Sequence, residues 1–329
     1  MDIAAVLAAF DDQMRRNPIL GHTRVDRDAC VTRVAGDGTG WYGVSWSNLT
    51  EANADAVIAD QLHRFDQEWE WKYYSYDQPA DLPSRLLAAG FVPDPAETVL
   101  VAEIAALDLS VAPPAGIDLV PVTGQAEADA LVAVHDQVFG GDSRAIGDTV
   151  LRGLAEQPCP VAAVVAMAGQ TPVCAGRVEF PAGSDFASIW GGGTLPAWRG
   201  RGVFRSLVAC RAALAADRGY RYLQVDASPD SRPILQRLGF TQLATTTPYR
   251  WLPSLLSERA VAGVRQVVGS GNRSCSGSRP VVSKATRCGA RPERMPAACC
   301  PAARRGDHLA IRAGGAGGMR IRGLKIFRH

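Results

Sequence analysis

The stretch Gly191-Gly-Gly-Thr-Leu-Pro-Ala-Trp-Arg199-Gly-Arg-Gly-Val-Phe-Arg-Ser-Leu207 decides how this sequence is read. The residues before it, 187–195, predict a strand that carries three glycines. Glycines inside a strand mark a bulge or a close approach of backbone. A proline turn follows, and Arg199-Gly-Arg-Gly opens a predicted helix over 202–218, with an apolar stripe at Val203, Leu207, Cys210 and Leu214. The free N–H groups at a helix N-terminus, with the positive end of the helix dipole, form an anion site. Gly200 and Gly202 admit a pyrophosphate close to the main chain, and Arg199, Arg201 and Arg205 add positive charge. The alternative is a glycine-rich strand–helix turn with solvated arginines.

Outward from this turn, residues 117–252 alternate regularly. Strands are expected at 117–121, 161–167, 173–180, 187–195 and 222–227, with two more at 240–243 and 247–252. Helices are expected at 126–139, 143–155, 202–218 and 231–238, and Gly140-Gly141 breaks the first two apart. Ala-Gly-Gln-Thr-Pro joins the second and third strands as a hairpin. Residues 106–116 contain Pro113-Pro114 and read as a linker.

This second region resembles the GNAT superfamily of N-acetyltransferases. Their acetyl-CoA signature, Arg/Gln-x-x-Gly-x-Gly/Ala, is matched by Arg199-Gly-Arg-Gly-Val-Phe at its first and fourth positions, with Phe204 in place of the last small residue. Pro196-Ala-Trp-Arg is similar to a Pro-Glu-Tyr-Arg run common there, and Leu235-Gln-Arg-Leu-Gly-Phe to a Tyr-x-x-x-Gly-Phe ending. The resemblance covers 117–252 and implies an α+β fold, a mixed and mostly antiparallel sheet flanked by helices. It implies an acetyl-CoA co-substrate, no metal, and direct transfer of the acetyl group to a primary amine of a small molecule or peptide. Thr194, Leu195, Arg199, Gly200, Arg201, Gly202, Val203, Phe204, Arg205 and Ser228 become the expected cofactor contacts. The Leu195 N–H would polarise the thioester carbonyl, and Ser228 stands where many members place Asn.

An amine of pKa near ~10.4 must lose a proton before it attacks, so a base should face the thioester, directly or through water. Glu179 and Asp226 are the candidates; a strand-edge carboxylate and a turn cap are their plainer readings. Leu235 replaces the tyrosine that the family uses as general acid, which leaves Ser231, Tyr249 or unaided departure of the thiolate. Cys174 and Cys210 read as core thiols rather than nucleophiles.

Residues 1–105 read as a smaller α+β domain. A helix is expected at 53–65, an aromatic strand at 69–76, a helix at 81–89 and a strand at 98–104. Trp69, Trp71 and Tyr73 share one face of the aromatic strand, Tyr74 and Tyr76 the other. One face packs; the other is a candidate acceptor surface, with Trp71 and Tyr73 singled out. Asp77 precedes Gly90-Phe91 by the interval that separates Asp226 from Gly239-Phe240. Either two unrelated αβ units coincide, or the first region is a degenerate half-copy of the second.

Composition divides the chain once more. The 329 residues carry 35 Lys and Arg against 33 Asp and Glu. That balance conceals 20 against 30 in residues 1–252 and 15 against 3 in 253–329. Gly, Ala, Arg and Pro supply 40 of the last 77 residues and Phe327 is their sole aromatic. A disordered tail is expected, either an unselected extension of a GC-rich gene or a flexible basic arm. Nucleic acid is disfavoured as a partner by the lack of stacking residues, and Cys288, Cys299, Cys300 and His308 do not fit a zinc spacing. The N-terminus has no basic n-region and no apolar run reaches a membrane span, so a cytoplasmic monomer or homodimer is expected. Two further readings stand beside the enzyme: a catalytically silent CoA-binding regulatory module, and an enzyme whose basic tail binds nucleic acid.

Overall fold

A computed structural model describes residues 1–253 except 20–22, 37–40 and 66. The expected disordered tail, with its four cysteines, lies outside the described residues. The chain begins with α1 (Ile3–Phe10), capped by Asp2 and continued by a π-helical turn, Asp11–Arg16. Three antiparallel strands follow, β1 (Thr23–Arg27), β2 (Val31–Gly36) and β3 (Tyr42–Ser47). After these come α2 (Ala54–Arg64), β4 (Trp69–Tyr74), α3 (Leu82–Ala88), the two-residue β5 (Val92–Pro93) and β6 (Glu97–Glu103). The second region runs β7 (Ile117–Pro121), α4 (Gln125–Phe139), α5 (Arg144–Leu154), β8 (Val161–Ala168), β9 (Thr171–Glu179) and β10 (Phe186–Thr194). It ends with α6 (Val203–Ala216), β11 (Tyr222–Ala227), α7 (Arg232–Arg237) and β12 (Thr241–Trp251).

All twelve strands join one mixed sheet, ordered β1-β2-β3-β4-β12-β6-β11-β10-β9-β8-β7, with β5 on β12. It is mostly antiparallel. The two parallel contacts are β3 with β4 and β10 with β11. Helices α1, α4 and α5 cover one face and α2, α3, α6 and α7 the other, a placement that follows from the alternation of side chains along each strand. On β4, Trp69 and Trp71 enter the core under α2 and α3, while Tyr74 meets α1.

Two strands cross between the regions. β6 belongs to the first in sequence, yet it pairs with β11 over Glu103↔Tyr222 to Thr98↔Ala227. β12, the last strand, pairs with β6 on one side and with β4 on the other, from Thr246↔Tyr74 to Trp251↔Trp69. The two strands expected at 240–243 and 247–252 are therefore one. A bulge between Gln242 and Ala244 lets β12 keep both neighbours although the Ala-Thr-Thr-Thr run has no alternation of its own.

The spacing shared by Asp77 and Asp226 has a structural counterpart. Each region runs strand, strand, strand, helix, parallel strand, short helix, Gly-Phe: β1, β2, β3, α2, β4, α3 in one and β8, β9, β10, α6, β11, α7 in the other. Each aspartate also closes on a cation from far away. Asp77 accepts from Arg15 Nη2 at 2.8 and 2.9 Å in a nearly water-free site, and Asp226 accepts from Lys72 Nζ.

Candidate functional site

β10 and β11 pair only from Phe186↔Tyr222 to Ser188↔Gln224. Beyond that point β10 continues on β9 and β11 on β6, so the sheet opens between them. The glycines explain why. A bulge separates Trp190 from Gly193, and Gly191 at its centre has φ +59°. A Cβ on Gly191 would stand 2.7 Å from the His135 ring, and one on Gly193 2.9 Å from Val138. Nε2 of the fully buried His135 donates to the Gly191 carbonyl at 2.7 Å; burial pulls the imidazole pKa down, so it holds the bulge as a neutral ring. From the other face Arg211 of α6 supports the same bulge. Its Nη1 donates to the Arg177 carbonyl at 3.3 Å, and Gly176 and Gly192 leave the room its guanidinium needs. Burial draws the Arg211 pKa down to about 10, and among the described residues it has no carboxylate partner.

Below the opening lies the turn that begins α6. Gly200 and Gly202 adopt φ +73° and +85°, a left-handed backbone that favours glycine. No side chain caps the helix, and nothing lies within 4 Å of where a Gly200 Cβ would be. The three arginines are exposed and differently engaged. Arg199 Nε donates to the Thr194 carbonyl at 3.1 Å, Arg201 lies 4.9 Å from the centre of the Trp198 ring, and Arg205 approaches Asp108 at 3.5 Å. An open, uncapped helix end beside three guanidiniums has the chemistry to receive a phosphate group.

Other expected contacts are placed less openly. The Leu195 N–H already donates to the Val173 carbonyl at 2.9 Å and is not free to polarise a thioester. The Thr194 hydroxyl donates to Cys174 Sγ in the core. Val203 is buried, and the Phe204 ring reaches to 2.9 Å of where a Gly192 Cβ would stand, packing beneath the bulge. Ser228 Oγ stays exposed beside Ser231 Oγ at 3.1 Å. Leu235 and Tyr249 are both core residues, so neither faces the opening as an acid. Burial pushes the Cys174 and Cys210 thiols up to about 11, which suits packing rather than nucleophilic chemistry.

The α4 face of the opening is polar. Trp190 on β10 stands at one lip and Asp226 on β11 at the other. A hydrogen-bonded row runs from Ser188 Oγ to Gln224 Oε1 (2.8 Å), from Gln224 Nε2 to Asp226 Oδ1 (2.8 Å), and from Lys72 Nζ to Asp226 Oδ2. Lys72 Nζ also lies 5.6 Å from the centre of the Trp190 ring. Burial opposes the ammonium charge, but the attraction of Asp226 outweighs it and holds Lys72 above its ordinary range. Asp226 is thus bonded at both oxygens. Glu179, opposite Ser188 where the sheet is still closed, accepts from Arg177 Nε at 2.8 Å.

Three residues on this face escaped the sequence reading: Lys72, Glu70 and Glu97. Trp71, singled out there, is fully buried on the opposite face. The period of two that sends Trp69 and Trp71 into the core sends Glu70 and Lys72 toward the opening, so the signal was present in the aromatic strand itself. Glu97 gave no such signal, because nothing local says that β6 lies beside β11.

No family model and no curated protein matches the sequence. Solved structures do. A GCN5-related N-acetyltransferase from Kribbella flavida superposes with a TM-score of 0.57 at 18% identity, covering 76% of this chain and 95% of that one. A functionally unknown conserved protein from Staphylococcus epidermidis ATCC 12228 superposes with a TM-score of 0.54 at 14% identity, covering 73% and 96%. The chain therefore has the fold of the GNAT superfamily, the group its Arg199-Gly-Arg-Gly turn resembles.

Proposed function

We propose that this protein transfers an acetyl group from acetyl-CoA to a primary amine of a small molecule or peptide. The observation that carries the reading is the juxtaposition of the uncapped α6 N-terminus, with Gly200 and Gly202 in left-handed conformations, and the opening between β10 and β11. Main-chain N–H groups at the start of α6, with Arg199, Arg201 and Arg205, would hold the pyrophosphate. The bulged Gly191–Gly193 segment would line the arm that leads to the thioester. The amine would approach from the polar α4 face, past Trp190 and Asp226. A carboxylate-rich surface suits a cationic acceptor.

Equilibrium binding of CoA, followed by thiol release from acetyl-CoA across a panel of primary amines, tests the proposal. CoA binding by the full chain and its loss by at least about 100-fold in Gly202→Glu are expected, since the substitution puts a carboxylate and a strained backbone at the anion site. Ordinary CoA affinity in that variant overturns the placement. CoA binding without thiol release for any amine favours a silent CoA-binding module, the reading suggested by the loss of the acid at Leu235.

A further inference from the structure

Two of the carboxylates at the opening are committed. Asp226 has one oxygen on Lys72 and the other on Gln224, and its side chain is only 2% exposed. Glu179 is held by Arg177 at the closed end of the sheet. A group that must accept a proton in each turnover needs a free lone pair and access to the amine. Glu97 has both. It is half-buried, and among the described residues its carboxylate makes no hydrogen bond and no ion pair.

Its position follows from register. Val99 lies directly opposite Asp226, and Glu97 is two residues further along β6, on the same face and past the point where β10 and β11 separate. Diagonal neighbours of this kind lie ~7–8 Å apart at their backbones, within reach of a glutamate side chain. Across β12, Glu97 pairs with Thr246, and β4 beyond it carries Lys72. We infer that Glu97 is the proton acceptor for the incoming amine, delivered to the site by a strand of the first region, and that the Lys72–Asp226 pair keeps that site in place. This rests on the acetyl-transfer reading above.

The step balances simply. The ammonium of the acceptor gives one proton to the Glu97 carboxylate, and the freed nitrogen lone pair attacks the thioester carbonyl. The C–N bond forms and the C–S bond breaks with its electron pair going to sulfur. The second proton on nitrogen goes to the thiolate, so amide and free thiol are released and Glu97 returns its proton to water.

The groups facing Glu97 are Asp226 on β11, Lys72 and Glu70 on β4, and Asp94 before β6, with Arg250 of β12 drawn off to Asp94 and Glu68. Burial, then the charge of Asp226, raise its pKa to about 7 against the partial opposition of Lys72. That value suits a base working near neutrality.

The test uses the full chain, acetyl-CoA and whichever panel amine turns over fastest. Glu97→Gln is expected to lower kcat by roughly 100-fold or more and to remove an acidic limb near pH 7 from the kcat/KM profile. CoA binding should stay at its wild-type value and the melting temperature near pH 7 should not fall, since the variant removes a half-buried charge, and Glu97→Asp should restore part of the rate and the limb. Wild-type kcat with an unchanged profile in Glu97→Gln overturns the inference while leaving acetyl transfer intact. Failure of the wild-type chain to bind CoA, or to acetylate any panel amine, overturns both, and the CoA-binding arm tells these two failures apart.

Discussion

The two regions share an order of elements and differ where the helix after the third strand begins. In the second region that junction is Arg199-Gly-Arg-Gly, open and cationic. In the first it is Asn48-Leu-Thr-Glu-Ala-Asn53, with Glu51 and Asp55 where the arginines would be. An anion would meet repulsion there rather than dipole and guanidinium. The parallel contact is short in both: β3 meets β4 only at Gly43↔Glu70 and Val44↔Trp71, where Gly43 leaves no room for a Cβ against the Glu70 carbonyl, and β10 meets β11 only from Phe186↔Tyr222 to Ser188↔Gln224. One framework thus serves two ends. The first region has a closed core of Trp69, Trp71, Phe91 and Trp251, and lends the outer face of its aromatic strand to the second.

The buried cations test this division most severely. Arg15→Met leaves Asp77 unpaired and Lys72→Met leaves Asp226 unpaired, and each should cost about 3–5 kcal/mol in denaturant unfolding. The comparison predicts different consequences for chemistry. The stabilised fraction of Arg15→Met should keep near-normal kcat, whereas Lys72→Met should lose most turnover even where it is fully folded. Equal losses of kcat would dissolve the distinction between a structural region and a functional one.

Gly191→Ala acts on the opening alone. With φ +59° and a Cβ 2.7 Å from His135, the substitution should cost about 1–3 kcal/mol in thermal melts and displace the ring that anchors the bulge. A fall in kcat larger than the change in KM for acetyl-CoA would place the bulge at the reacting bond; a stable, fully active variant would detach it from function.

The smallest expected effect is a pH dependence. Glu97 is raised in the folded protein from about 4.5 to about 7, so between those values the folded chain binds more protons than the unfolded one. Stability should therefore fall as pH rises through that window and level off above it. In Glu97→Gln the decline should be shallower. An unchanged slope would mean that the carboxylate is better solvated than its place beside Asp226 implies.

Local periodicity made much of this molecule legible. The 3.6-residue spacing of Val203, Leu207 and Cys210 marked α6, and the glycine run before it marked the bulge. The same logic could not reach residues whose neighbours are distant. Lys72 meets a partner 154 positions away, and its strand announces itself by tryptophans that face elsewhere. Strands β1 to β3 are short and cut by Gly, Asp and Asn, so no alternation persisted long enough to read. β12 was split in two because its register is imposed by β4 and β6 rather than by its own threonines.

The exchange of β6 and β12 also sets a schedule for synthesis. As the chain leaves the ribosome, β4 has its parallel partner β3 at once, but its other edge waits for residues 246–251. Roughly 170 residues intervene, on the order of ten to thirty seconds of translation. For that interval an aromatic strand with Trp69, Trp71 and Tyr73 lies with an unpaired edge, a surface on which chains associate wrongly. The alternate residues of that strand, Glu70 and Lys72, are charged, and charge on an open edge discourages such pairing. The lysine that ends at the opening between β10 and β11 would thus first serve as a guard for a half-built sheet.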